Sequence, residues 1–186
     1  MHSFNSLLRP HRLVGFGFAV GMALVGPMGP AWAQGAGAPA RTLEASDQSF
    51  VAEAAQGGMA EVAMGKMAQQ RATHAQVKTF GERMVRDHSK ANEDLKQVAS
   101  AKAVTLPTTP GTANQHHADA LGKLSGAEFD RAYMKHMVDD HKKDVANFEK
   151  AAASAKDPDV KAFAVRTLPT LKAHRELAQT TYDAVK

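Results

Sequence analysis

With 186 residues, no cysteine and only 6% aromatic side chains, the chain has material for about one domain. It has none for disulfides, a cysteine nucleophile or lipid attachment to an N-terminal cysteine. Its formal charge of +4 forms no dense basic stripe and no Lys/Arg block, which argues against a nucleic-acid partner.

Positions 1–33 read as a secretory signal peptide. Arg9, His11 and Arg12 supply a basic start, positions 13–25 are apolar, and Ala31-Trp32-Ala33 is an A-x-A cleavage signal. The apolar run is short for a bilayer span of about 20 residues. Cleavage after Ala33 is therefore expected, leaving no transmembrane segment. Arg9 and Arg12 leave with the signal, so the 23 basic residues fall to 21 against 19 acidic ones, a balance of +2. The expected address is a bacterial periplasm or the medium.

Residues 34–45 read as a flexible leader and residues 46–186 as one helical domain. Ser46 or Asp47 is placed to cap a first helix running to about Arg71. Its stripe of Phe50, Ala54, Gly57, Met64 and Ala68 has helical spacing, with Glu61 inside it. Gly57-Gly58 costs about 1 kcal/mol per glycine in mid-helix relative to alanine, which predicts a close helix approach or a bend. Thr73 is placed to cap a second helix, residues 74–103, with the stripe Val77, Phe80, Met84, His88, Ala91, Leu95 and Val98. Leu106-Pro107-Thr108-Thr109-Pro110-Gly111 ends it. A short polar helix over 113–124 carries His116-His117, expected to be exposed.

Ser125 and Glu128 form a capping box for a third long helix, residues 126–155. Its stripe is Phe129, Tyr133, Met137, His141, Val145, Phe148 and Ala152. Asp157-Pro158 opens the fourth, with Val160, Phe163 or Ala164, Thr167, Leu171, His174, Ala178 and Thr181 on one face and Pro169 predicting a kink. No strand pattern occurs. The expected fold is all-α: a four-helix bundle with a short extra helix in the central crossover.

Met84-Val85-Arg86-Asp87-His88 returns as Met137-Val138-Asp139-Asp140-His141, and Val77-Lys78-Thr79-Phe80 is echoed by Val160-Lys161-Ala162-Phe163. Each long helix carries one polar residue in its apolar stripe: Glu61, His88, His141 and His174. Measured from the links near residues 72 and 156, their heights differ by about 7 Å within the first helix pair and about 5 Å within the second. Helices packed about 8–10 Å apart bring such side chains together in the bundle centre.

Three imidazoles and a carboxylate suit Zn, Fe, Mn or Cu better than Ca or Mg. Asp87 and Asp140, each beside a histidine but turned about 100° from it, are placed to orient a histidine of the next helix by hydrogen bonding. In the plainer reading the cluster is a set of imidazole–carboxylate hydrogen bonds that fixes helix register. Met84 and Met137, one turn before His88 and His141, read as core filling, although thioether with imidazole also suits copper.

These residues resemble a known family. Phe50 through Glu61, then Val77-Lys78-x-Phe80, Met84-Val85-x-Asp87-His88 and Leu95, are similar to the ferritin-like domain of unknown function 4142 family. Phe129-Asp130-x-x-Tyr133, His141, Leu168-Pro169 and His174 continue the match, over residues 46–184. The resemblance implies a four-helix ferritin-like fold in exported bacterial proteins, often described as outer-membrane proteins, and no established activity. The wider ferritin-like group holds two metals through Glu and Glu-x-x-His motifs. Val85, Val138 and Leu171 stand three residues before the histidines here, so that di-iron carboxylate site is not implied. The absence of strand patterns also excludes an outer-membrane barrel.

Two functional readings follow. In one, an exported periplasmic bundle binds one transition metal through Glu61, His88, His141 and His174, with Asp87 and Asp140 behind them. In the other, a non-catalytic envelope stress or interaction protein uses the cluster purely structurally. An enzyme needs an open coordination position and a path from solvent. The sequence signals neither and assigns no catalytic residue.

Overall fold

The computed structural model describes residues 42–186, which form α1 (Ala45–Arg71), α2 (Ala75–Ala101), α3 (Thr112–Leu121), α4 (Gly126–Ser154) and α5 (Pro158–Val185). The signal segment and residues 34–41 of the leader lie outside the described residues. Helices α1 and α2 pair as one hairpin and α4 and α5 as another, with α2 against α5 and α1 against α4. The helices α2 and α4 run in the same direction, so residues 102–125 cross the length of the bundle. The short α3 packs there on α1 and α4.

Two buried aspartates set the register between the hairpins. Asp47 does not cap its own helix. Its Oδ2 accepts the backbone N–H groups of Lys156 at 3.0 Å and Asp157 at 2.7 Å, in the α4–α5 link. Asp130 of α4 does the same for the α1–α2 link. Its carboxylate accepts from Thr73 N at 3.1 Å, Thr73 Oγ1 at 2.7 Å and His74 N at 2.9 Å. A tight link between helices exposes the first N–H groups of the following helix, and here a carboxylate from the opposite hairpin satisfies them. The arrangement is reciprocal in sequence as well. The offset from Asp47 to Asp130 equals the offset from Thr73-His74 to Lys156-Asp157. The same offset joins Val77 to Val160 and Phe80 to Phe163, so the chain repeats as two helix hairpins.

Local expectations fared unevenly. Asp157 caps α5, accepting from Asp159 N and Val160 N at 2.9 and 3.2 Å. Ser125 holds the N-cap position of α4 without a side-chain bond, so the capping box does not form, and Gly126 enters the helix at φ 61°. The buried stripe of α1 runs through Val51, Ala55 and Gly58 rather than Phe50, Ala54 and Gly57. Phe50 instead packs edge-on against Phe148, 4.9 Å between centroids. Helix α5 continues through Pro169.

The closest helix approach falls at Gly65 and Gly81, where a Cβ on Gly65 would stand 2.8 Å from the Gly81 carbonyl. Gly58 meets the side chain of Asn92, and Gly57 faces open space.

The core is split. One apolar cluster, built on Met64, Phe80, Met84, Phe129, Tyr133 and Met137, fills the half near the α1–α2 link. A second, built on Val51, Leu95, Phe148, Val160, Phe163 and Leu171, fills the other. Glu61, His88, His141 and His174 lie on the same helices between these two sets and are all buried.

Asp47→Ala and Asp130→Ala are each expected to lower stability by about 1–3 kcal/mol, the cost of stranding backbone donors. Asn at either position should recover part, because its oxygen still accepts. Urea denaturation reads the difference.

Candidate metal centre

The three histidines reach one point from three helices. His88 of α2, His141 of α4 and His174 of α5 each offer a ring nitrogen within 4.8 Å of the other two. Their ring centroids are 5.2–5.7 Å apart. Each has its opposite nitrogen engaged. His88 Nδ1 lies 2.8 Å from Glu61 Oε2, within ion-pair distance. His141 Nδ1 donates to the Met137 carbonyl, one turn back on its own helix, at 3.0 Å. His174 Nε2 donates to Asp87 Oδ2 at 2.8 Å.

The remaining nitrogens, His88 Nε2, His141 Nε2 and His174 Nδ1, are buried and have no hydrogen-bond partner. With the proton held on the engaged nitrogen, each carries a lone pair. Unpartnered buried polar atoms cost about 1–3 kcal/mol each, so three at one point call for an external electrophile or donor. Glu61 Oε1 lies 3.3 Å from His141 Nε2, but off the hydrogen-bonding direction, and is likewise unpartnered.

The electrostatics keep the rings neutral. Burial pushes His88 down to about 4, against the opposing charges of Asp144 and Asp87. Burial also takes His174 down to about 4, although its bond to Asp87 opposes the shift. His141 is lowered by burial and then by the other two histidines. Burial would raise Asp87, yet its bonds from Arg86 and His174 hold it at about 2. Arg86 Nε is 2.8 Å and Arg83 Nε 3.5 Å from that carboxylate. An ionised Asp87 thus fixes the tautomer of His174.

Glu61 is raised by burial and by Asp140, and Asp144 by burial and by Glu61. Hydrogen bonding between the two lowers Glu61 and raises Asp144.

Asp144 is the residue that the apolar stripes did not single out. Its oxygen groups with those of Glu61 and Asp140 within 4.8 Å. It follows Glu61 by the same offset that relates Asp47 to Asp130, and that offset was the available signal. Asp140 joins this carboxylate group and makes no hydrogen bond to any of the three histidines, unlike Asp87. The aspartate of the second motif copy points to α1 because its helix lies beside α1, while Asp87 faces α5.

Met84 and Met137 belong to the apolar cluster above the histidines. His116 and His117 are exposed, and His117 stacks on His136 at 4.5 Å. A cleft of about 20 Å³ reaches Glu61 and His88 past Gly58, Asn92 and Asp144, room for about one water. No described helix is long and apolar enough to cross a membrane.

Fold and site together define a helical-bundle protein with a histidine layer at mid-height. Its family follows from sequence: the model for the domain of unknown function DUF4142 matches residues 33–181, and the chain belongs to that family. No curated protein matches it.

Solved structures share the fold. A DUF305 fragment from Deinococcus radiodurans aligns with TM-score 0.67 at 12% identity, over 77% of this chain and 99% of that one. CopM in its Cu(I)-bound form aligns with TM-score 0.62 and in its Cu(II)-bound form with 0.59, both at 19% identity over 74% of this chain and 96% of that one. At these identities the likeness is one of fold.

The metal-free chain is expected to weaken in acid. Histidines titrate near 6.5 when unfolded, whereas His88 and His174 titrate at about 4 when folded. The unfolded state therefore binds more protons between these values. Stability from the neutral rings is complete above about pH 6.5 and is lost as pH falls towards 4. The raised Glu61 and Asp144 act oppositely, and the three lowered histidines outnumber them. Urea midpoints that fail to drop from pH 6.5 to 4, or His88 and His174 ring signals titrating near 6.5, would contradict this.

Proposed function

We propose that this chain is an exported periplasmic bundle protein that binds one transition-metal ion through His88, His141 and His174. The observation that carries the reading is the pairing of roles on each ring. One nitrogen lies against Glu61, the Met137 carbonyl or Asp87, the other is buried and unpartnered, and the three rings offer nitrogens within 4.8 Å of one another. Metal-bound histidines have this second hydrogen bond almost without exception, since it fixes the tautomer and strengthens the donor. The sequence expectation counted Glu61 as a fourth ligand. In this reading its Oε2 orients His88, and its Oε1 brings negative charge to the edge of the centre.

Neutral imidazoles suit Zn, Cu and Fe. Copper is the first metal to test, because structures of the same fold are of CopM with Cu(I) and Cu(II) bound. His88, His141 and His174 would hold the metal from α2, α4 and α5, where it would supply a link between the three helices at mid-height. The protein's own part is to hold three neutral rings in place and keep bulk water from them.

Titrating Cu(II) or Zn(II) into the metal-free chain should fill one site per chain. His88→Ala with His174→Ala should weaken that site at least 100-fold. Asp87→Asn should weaken it about 10–100-fold, the usual effect of losing the group that orients a ligand, with helicity unchanged. Equal metal uptake by wild type and the double histidine variant would sink the proposal and leave the layer a structural register device.

A further inference from the structure

The histidine reading uses Glu61 but leaves Asp140 and Asp144 without a task. Glu61 of α1 and Asp140 and Asp144 of α4 place one oxygen each within 4.8 Å of the others. Asp140 and Asp144 are one turn apart on α4. Among the described residues, no lysine or arginine forms an ion pair with any of the three; the recorded partners of Glu61 are histidines. A second observation points to a ligand. Glu61 is 1% exposed, and its Oε1 is buried with no hydrogen-bond donor. His141 Nε2, 3.3 Å away, is also unpartnered. That oxygen has no hydrogen-bond donor, and three carboxylate oxygens within 4.8 Å of one another repel when ionised.

We propose that Glu61, Asp140 and Asp144 form a second cation site, for a hard divalent ion such as Mn(II), beside the three-histidine centre. Only oxygens are offered, and hard ions take oxygen ligands while imidazole draws softer ones. Asp140 and Asp144 are half-buried, so one side of the site is left for the waters that small divalent ions retain. The small cleft reaches Glu61 and Asp144.

Symmetry within the chain supports the placement. Glu61 and Asp144 are equivalent positions of the two hairpins, separated by the same offset as Asp47 and Asp130, and they meet where α1 and α4 pack. Glu61 is the common element: its Oε2 lies 2.8 Å from His88 Nδ1, and its carboxylate also belongs to the acidic group. The proposal otherwise stands apart from the histidine reading.

The experiment titrates Mn(II) into the full chain and follows the free ion by electron paramagnetic resonance. In the His88→Ala, His174→Ala background, one Mn(II) per chain is expected. Adding Asp140→Asn and Asp144→Asn to that background should weaken it at least tenfold, with unchanged circular dichroism. The same pair of aspartate changes is also made in wild type loaded with one equivalent of Zn(II), which keeps the test readable if the histidine variants do not fold. There, Mn(II) binding should fall while the Zn(II) stoichiometry stays at one. Mn(II) binding that is absent from both backgrounds, or unmoved by the aspartate changes, overturns the proposal. Loss of the Zn(II) site alone counts against the histidine reading instead.

Discussion

Four long helices meet at one layer only if their heights are set to within a turn, and here two buried aspartates set them. Asp47 and Asp130 each reach from the start of one hairpin to the link of the other. Hydrophobic packing alone tolerates sliding, because an apolar stripe looks similar one turn along. A carboxylate accepting two backbone N–H groups does not slide. The layer of Glu61, His88, His141 and His174 therefore depends on bonds made at both ends of the bundle, roughly 20 Å away at about 1.5 Å per residue.

The chemistry of the layer rests on division of labour within each imidazole. A ring with two free nitrogens samples both tautomers and several rotamers. A ring held through one nitrogen presents the other in a fixed direction. The three anchors differ in kind: a carboxylate shared with a second acid, a main-chain carbonyl, and a carboxylate kept ionised by Arg86. Only the last faces solvent on one side, so the environment of His174 is the one most open to change from outside.

Much of this was legible in the chain. The steps of three and four that place His88 between Met84 and Leu95, and His141 between Met137 and Val145, fix which faces turn inward. Counting residues from the two links brought four polar side chains to similar height, and all four are buried in the structure. The separation of orienting from presenting groups was not legible. It depends on rotamers, so Glu61 and the histidines looked alike as donors. The helix starts misled for another reason: Ser46, Thr73 and Ser125 are good local caps, but α1 begins before Ser46, Asp130 takes the donors beside Thr73, and Gly126 enters α4 in the left-handed region. Asp144 escaped because a half-buried acid one turn after His141 looks like an ordinary surface charge until the hairpin repeat pairs it with Glu61.

The divided core has a consequence for motion. Helix α5 gives Val160, Phe163, Ala164 and Leu171 to the cluster beside its start, but only Ala178 to the fully buried part of the other. Its last turns rest on Ala178 and Thr181, with Leu177, Tyr182 and Val185 only partly buried. Fraying inward from Val185 breaks few buried contacts before it reaches His174. Local opening of this kind costs far less than global unfolding. Opening at that end would wet the histidine layer from the α5 side before the apolar half built on Val160 and Leu171 is disturbed.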